Sequence, residues 1–246
     1  MITVNKKKIE GIILKNSDYK DNAIKISVLT NEGIIDFIIR GAKKITSKLS
    51  NLSQPLKKVE LYSTTDKVIN TVTEGIVIEN YTKIKEDNEK LLVSLSMIET
   101  CYYFSKHVLD SDLLYNFFLD TLEILKNTMY PLELLNYFDI KFWYLIGIQP
   151  IFNKCVICGS DEPSFFSVNH GGVLCLNCRS NSSYDEETTQ LLKITYLLKI
   201  DKLNDDFLKI ISEYREKFNK IIRNYYIEYF DFSNFNRNLI EKLIWK

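Results

Sequence analysis

Four cysteines are the residues of this chain best suited to chemistry. Cys155 and Cys158 form one C-x-x-C pair, and after sixteen intervening residues Cys175 and Cys178 form a second. The spacing falls within the zinc-ribbon pattern. Each pair can sit on a tight knuckle turn with both thiolates on one side, and two facing knuckles complete a tetrahedral, all-sulfur cage. Such a cage leaves no open position for water or substrate, so its metal, a structural Zn2+, folds a small module rather than performing chemistry. Redox use of the C-x-x-C pairs and metal-free packing are the competing readings. Two disulfides would need an oxidising compartment, and Lys6-Lys7-Lys8 is followed by no apolar signal-peptide core, so a reduced, cytosolic protein is expected. His170, inside a glycine-rich turn, is either a substitute ligand or a bystander. Cys101 lies in an apolar helical pattern and reads as core.

The cysteines need a scaffold, and the chain supplies two kinds. Residues 1–82 read as β: Gly11 to Leu14, Ala23 to Leu29, Gly33 to Ile39, Val59 to Tyr62 and Val68 to Ile78 are short β-branched runs, with a hairpin turn at Asn31-Glu32-Gly33. Five such strands suit a small barrel of the OB type, a scaffold used for single-stranded nucleic acid, and an SH3-like barrel would give much the same string. From Asp87 the period becomes helical. Leu91, Leu92, Leu95, Ile98, Cys101, Tyr102 and Ser105 mark one stripe, and Leu113, Leu114, Phe117, Phe118, Leu122 and Leu125 another. Pro131 opens a third helix that Gly147 and Pro150 stop. The cysteine segment, 151–182, interrupts the helical run, with Phe165 to Val168 as a short strand candidate. Helices resume at Asp185 and again as one long segment from about Asn204 to Phe230. The expected class is therefore α+β: an OB-type barrel over 1–82, a helical domain over 83–150 and 183–246, and an inserted zinc ribbon.

Charge points to a partner only through its distribution. The chain carries 32 basic and 32 acidic residues, but residues 1–82 hold 13 against 9 and residues 83–150 hold 6 against 10. Within the basic segment, Arg40 to Lys58 contains Arg40, Lys43, Lys44, Lys48, Lys57 and Lys58 and no acid. These six are candidate phosphate contacts, against the alternative of a solvated surface loop. Tyr19, Phe37 and Tyr62 lie near them, as base-stacking platforms or as barrel core, whereas Tyr102-Tyr103-Phe104, Phe142-Trp143-Tyr144 and Tyr225-Tyr226 follow helical stripes and read as core. The longest apolar run, Phe142 to Ile148, is far short of the roughly 18 residues of a membrane span.

Catalytic signatures do not occur. The chain has no GxxxxGK(S/T) loop, no GxGxxG fingerprint and no GxSxG elbow, and neither histidine begins an HxE motif. Asp205-Asp206 and Glu186-Glu187 read as helix caps. A binding protein rather than an enzyme is expected.

The barrel, the helices and the ribbon together resemble the RecO family of bacterial recombination mediators. Glu10-Gly11-Ile12-Ile13-Leu14-Lys15 with Tyr19 is similar to the family's opening strand, and Leu29-Thr30 with Gly33 to its next hairpin. Arg40-Gly41-Ala42-Lys43-Lys44 with Ser47-Lys48 is similar to its basic segment. Gln54-Pro55 and Gly171-Gly172-Val173-Leu174-Cys175 extend the likeness over nearly the whole chain. One segment departs: the family's tyrosine-rich helix ends in a basic turn, whereas here Tyr226-Ile227-Glu228-Tyr229 leads into Asp231 to Arg237. The resemblance implies a non-enzymatic cytoplasmic protein that binds single- and double-stranded DNA and anneals complementary strands. It also implies work with RecR, capture of the acidic tail of single-stranded DNA-binding protein (SSB), and help in loading recombinase. The runner-up is a barrel-plus-ribbon subunit acting on RNA in transcription or translation.

Overall fold

A computed structural model describes residues 6–20, 22–44, 47, 49–64 and 70–243. Strands β1 (Lys6–Tyr19), β2 (Ala23–Thr30), β3 (Gly33–Ile39), β4 (Lys58–Thr64) and β5 (Asn70–Glu79) close a barrel in the order β1-β2-β3-β5-β4. All pairs are antiparallel except β3 with β5, where Phe37 and Ile38 meet Asn70 and Thr71. This closure selects the OB-type barrel over the SH3-like alternative. β1 is longer than its apolar run because it serves two partners. Lys6 to Ile12 pair with β4, Ile12 to Tyr19 pair with β2, and a bulge between Ile13 and Lys15 bends the strand between them. Where β1 turns, a Cβ on Gly11 would lie 2.5 Å from the Leu29 carbonyl oxygen, so only glycine fits.

Alternation divides β1 between two cores. Ile9 and Ile13 point into the barrel with Ile26, Val28, Phe37, Val59 and Leu61. Ile12 and Leu14 point out and join Leu29, Leu56 and Tyr81 in the core of the helical body, so barrel and helices share one apolar contact. Phe37 is fully buried inside the barrel, which settles it as core rather than a stacking platform.

The helical body comprises α1 (Thr82–Lys85), α2 (Asn88–Tyr103), α3 (Ser111–Asn127), α4 (Pro131–Leu145), α5 (Glu186–Leu197), α6 (Asp205–Glu213), α7 (Arg215–Phe230) and α8 (Phe235–Leu243). Asp87, Asp110, Asp185 and Asn204 cap α2, α3, α5 and α6 through side-chain oxygens. The single helix expected over 204–230 is two helices, broken at Tyr214. The stripe expected on α2 is also displaced. The buried face carries Val93, Ser94, Ser96, Met97, Ile98, Thr100 and Cys101, so Ile98 and Cys101 of the expected stripe are core, while Leu91, Leu92 and Leu95 are only partly covered. Small hydroxyl residues occupy this face because α8 packs there, with the Asn234 amide donating to the Ser96 carbonyl (2.9 Å) and the Thr100 hydroxyl (3.0 Å).

α4 is buried on every side, including its polar residues Glu133, Asn136 and Asp139. Their partners come from the C-terminal helices. Arg237 donates to Asp139 Oδ2 from Nη2 (2.6 Å) and Nε (3.2 Å), and to the Asn136 and Asn219 side-chain oxygens. Arg215 pairs with Glu133. Burial holds the Asp139 carboxyl above its ordinary range against the opposing pull of Arg237 and Tyr226.

An Arg237→Met variant leaves Asp139 buried without its counter-ion and is expected to lose about 3–5 kcal/mol at neutral pH in urea denaturation. The lost guanidinium raises the carboxyl further, and a folded-state value above the unfolded one makes stability fall as pH rises between the two. The variant should therefore be more stable at pH 5 than at pH 7 by a margin larger than wild type shows.

Candidate metal centre and nucleic-acid interface

The four cysteine sulfurs of 155, 158, 175 and 178 all lie within 4.8 Å of one another, and Cys158 and Cys175 sulfurs are 3.6 Å apart. Two knuckles make this possible. In the first, the Gly159 amide donates to the Cys155 carbonyl (2.9 Å) and Gly159 adopts φ +76°, a left-handed conformation that glycine takes without steric cost. In the second, the Cys178 and Arg179 amides donate to the Cys175 carbonyl (3.1 and 3.0 Å). The Cys158 amide directed at the Cys155 sulfur draws that thiol down to about 6, the state a metal ligand needs. Hydrogen bonds to Cys158 and Cys175 push Cys178 up to about 12. Four thiols so crowded favour a cation that takes them all as thiolates, and the donor set fits a tetrahedral thiophilic ion. His170 is a bystander, its Nδ1 2.9 Å from the Ser167 hydroxyl.

The ribbon is joined to the helical body. Strands β6 (Phe165–Ser167) and β7 (Gly172–Leu174) pair as a hairpin. Phe166 stacks on Phe152 and Tyr225 (centroids 5.8 and 6.1 Å), and its amide donates to Thr189 on α5 (2.8 Å). A Cβ on Gly172 would meet the Ile151 carbonyl oxygen at 2.6 Å, so the chain entering the ribbon passes directly against the hairpin.

Of the six basic candidates, Arg40 and Lys44 are exposed and have no carboxylate partner among the described residues. Lys43 is paired with Asp18 (2.9 Å) and Lys58 with Glu10 (2.8 Å). Lys57 is only 3% exposed. Its ammonium donates to the Asn51 carbonyl and side-chain oxygen, and burial lowers its pKa. It therefore braces the loop from within. Lys48 lies outside the described residues.

Elsewhere on the barrel, Lys7, Lys8 and Lys25 are paired with Glu32, Glu60 and Asp36 at 2.7–2.8 Å. Among the described barrel residues this leaves Lys15, Lys20, Arg40 and Lys44 exposed without a carboxylate partner, Lys20 directly after β1 and Arg40 and Lys44 after β3. The Lys43–Asp18 pair and the Ile24–Ile39 register draw those segments to one another. Half-buried Tyr19 is also there, with the Lys20 ammonium 5.5 Å from its ring centre, whereas the Tyr62 hydroxyl is held by Glu60 (2.7 Å). Three aromatic residues assigned to core by helical pattern stand outside it, one of them Tyr144 on α4, which is 54% exposed. Tyr102 and Tyr103 are 38% and 50% exposed, and only Phe104 of that triplet is buried.

Two family profiles match the chain: "Recombination protein O N terminal" over residues 1–81 and "Recombination protein O C terminal" over residues 85–233. Proteins named DNA repair protein RecO from Bacillus subtilis (strain 168) and Listeria monocytogenes serotype 4b (strain CLIP80459) are 28% and 26% identical over 228 residues. Each alignment covers 90% of this chain and 89% of the relative. The protein of the same name from Syntrophomonas wolfei is 28% identical over 193 residues, 75% of this chain and 76% of the relative. The crystal structure of asparaginyl-tRNA synthetase from Pyrococcus horikoshii overlays with a TM-score of 0.28 at 10% identity. It covers 76% of this chain and 40% of that one, a score too low to bear on fold or function. No helix among the described residues is long and apolar enough to cross a membrane.

Purified protein is expected to carry one thiophilic ion per chain. Cys175→Ser should release it and destabilise the chain by several kcal/mol, on the order of a large part of a structural site's contribution. Cys101→Ala, remote from the cage, should leave metal content unchanged. Elemental analysis with thermal melting, with and without chelator, checks both.

Proposed function

The chain belongs to the RecO family, and from that premise we propose that it is a non-enzymatic recombination mediator of the bacterial cytoplasm. It binds single- and double-stranded DNA, anneals complementary strands and, with RecR, helps load recombinase onto SSB-coated DNA. One observation supports the DNA-binding part: acids pair Lys7, Lys8, Lys25, Lys43 and Lys58, whereas Lys20, Arg40 and Lys44, on segments linked by the Lys43–Asp18 pair and the Ile24–Ile39 register, have no carboxylate partner among the described residues. A cluster without internal counter-ions releases DNA counterions on binding phosphates, which gives sequence-independent and salt-sensitive affinity. Lys43 and Lys58 can add to it, because exposed ion pairs contribute little and a phosphate can displace the carboxylate. Lys57 acts only as a support for the loop.

Annealing needs no catalytic group. Cations that screen both backbones while leaving base edges free reduce the repulsion between two strands, and pairing then proceeds by itself. Zn2+ in the four-cysteine cage is structural in this reading, fixing the ribbon against α5 and α7. RecR and the acidic SSB tail are the protein partners that the family likeness supplies.

Fluorescence annealing of complementary oligonucleotides, with and without SSB, tests the reading directly: acceleration that persists on SSB-coated strands supports a mediator. In the same assay, changing Arg40 and Lys44 together to Gln should slow annealing. It should also flatten the log-log salt dependence of single-strand binding by about 0.7 per lost contact. An unchanged slope would place the DNA elsewhere on the chain, and binding confined to RNA would favour the transcription or translation subunit.

A further inference from the structure

A cleft of about 880 Å³ separates the outer face of the barrel from the C-terminal end of α2. We propose that this cleft binds unpaired nucleobases, with Tyr102 and Tyr103 presenting ring faces and Lys15 and Lys106 taking the adjoining phosphates. The inference rests on the DNA-binding reading above and extends it to a site away from Lys20, Arg40 and Lys44.

Three observations carry it. The first is the aromatic platform. Tyr103 lies against buried Phe232 (centroids 4.3 Å apart, planes 30° apart) and keeps half its surface open. Beside it, the Lys15 ammonium lies 4.8 Å from the centre of the exposed Tyr102 ring, placing a cation over that ring next to the open surface of Tyr103. Rings buried for stability alone would be covered, and exposed ring faces beside cations are what single-stranded nucleic acid takes. Phe232 belongs to the segment that departs from the family's basic C-terminal turn, so in this chain that segment supplies the underside of the platform.

The second is charge. Both carboxylates that line the cleft are already engaged. Asp36 accepts from Ser27 (2.6 Å) and pairs with Lys25 (2.7 Å). Glu99 accepts from the Phe235 and Asn236 amides (2.7 and 3.0 Å) and from the Asn236 side chain (2.6 Å). Lys15 and Lys106 have no carboxylate partner among the described residues, and with Lys25 offsetting Asp36 while Glu99 keeps its charge, a small positive excess remains for a polyanion.

The third is continuity. Lys15, Ser17 and Tyr19 alternate onto one face of β1, and the register aligns Lys15 with Ser27 and Ser27 with Asp36 across the sheet. That row leads from the cleft to Lys20, Arg40 and Lys44 over five residues, about 17 Å at strand rise, a span for a few nucleotides of one strand.

The test uses the full chain and fluorescence anisotropy with two probes: an oligo-dT, and an abasic oligomer of equal length that keeps the phosphates and lacks the bases. Tyr102→Leu and Tyr103→Leu, each verified by thermal melting, should weaken oligo-dT binding by at least about fivefold. Salt slope and abasic binding should stay unchanged. Tyr103→Phe should restore affinity, and Lys15→Gln should flatten the salt slope by about one contact. Equal losses on both probes, or no loss on either, would overturn the cleft proposal. So would displacement of an acidic peptide with a terminal aromatic residue by the leucine changes while oligo-dT binding is untouched, because the cleft would then be a peptide site. Loss of DNA binding in the Arg40 and Lys44 variant alone leaves the mediator reading standing and removes only the cleft. If wild type binds neither probe, both fall.

Discussion

The helical body depends on one constraint: α4 runs through its middle, and three of its buried residues are polar. An acid inside a protein is tolerated only with a partner and satisfied hydrogen bonds. Asp139 and Glu133 therefore require two guanidiniums delivered from outside α4, and these are Arg237 and Arg215. Arg237 in turn needs α8 to be docked, which the Asn234 amide and the Glu99 carboxylate secure by holding its first turn to α2. α2, α4, α7 and α8 are thus fixed by one connected set of polar contacts within an otherwise apolar core.

The same fixing shapes the surfaces that meet ligands. Docking α8 to α2 brings Phe232 under Tyr103 and turns the end of α2 outward beside β1. On the barrel, an ion pair offsets part of a lysine's charge, so the exposed cations without one, Lys15, Lys20, Arg40 and Lys44, are the most open to phosphate. The ribbon contributes differently. Its four thiols are grouped closely enough to hold a metal ion, and Phe166, through Thr189 and Tyr225, anchors the hairpin to α5 and α7.

The barrel and the metal cage were legible in the sequence because each obeys a local rule: period-two alternation in strands, and ligand spacing on knuckles. Gly159 and Gly172 carried signals of the same local kind. The α2 face was not legible. Ser94, Ser96 and Thr100 look like solvent residues until α8 is known to cover them, and Leu91 and Leu92 then pack at the edge of the core rather than at its centre. Tyr102 and Tyr103, which the helical pattern assigned to the core, lie on the uncovered side at the end of α2. Lys57 shows the limit for charge, since a lysine in a basic run is indistinguishable by sequence from its exposed neighbours, and only Asn51 reveals that it points inward. The break at Tyr214 likewise leaves no glycine or proline to mark it.

Arg237 stands 98 positions after the carboxylate it neutralises. During synthesis the barrel strands emerge first and can close on their own contacts, while α4 emerges with its acid unmatched. At roughly 5–20 residues per second, the interval before its counter-ion is made is about 5–20 seconds. For that time the central helix lacks the partner that offsets burial of its acid, so its docking is less favourable than in the finished chain.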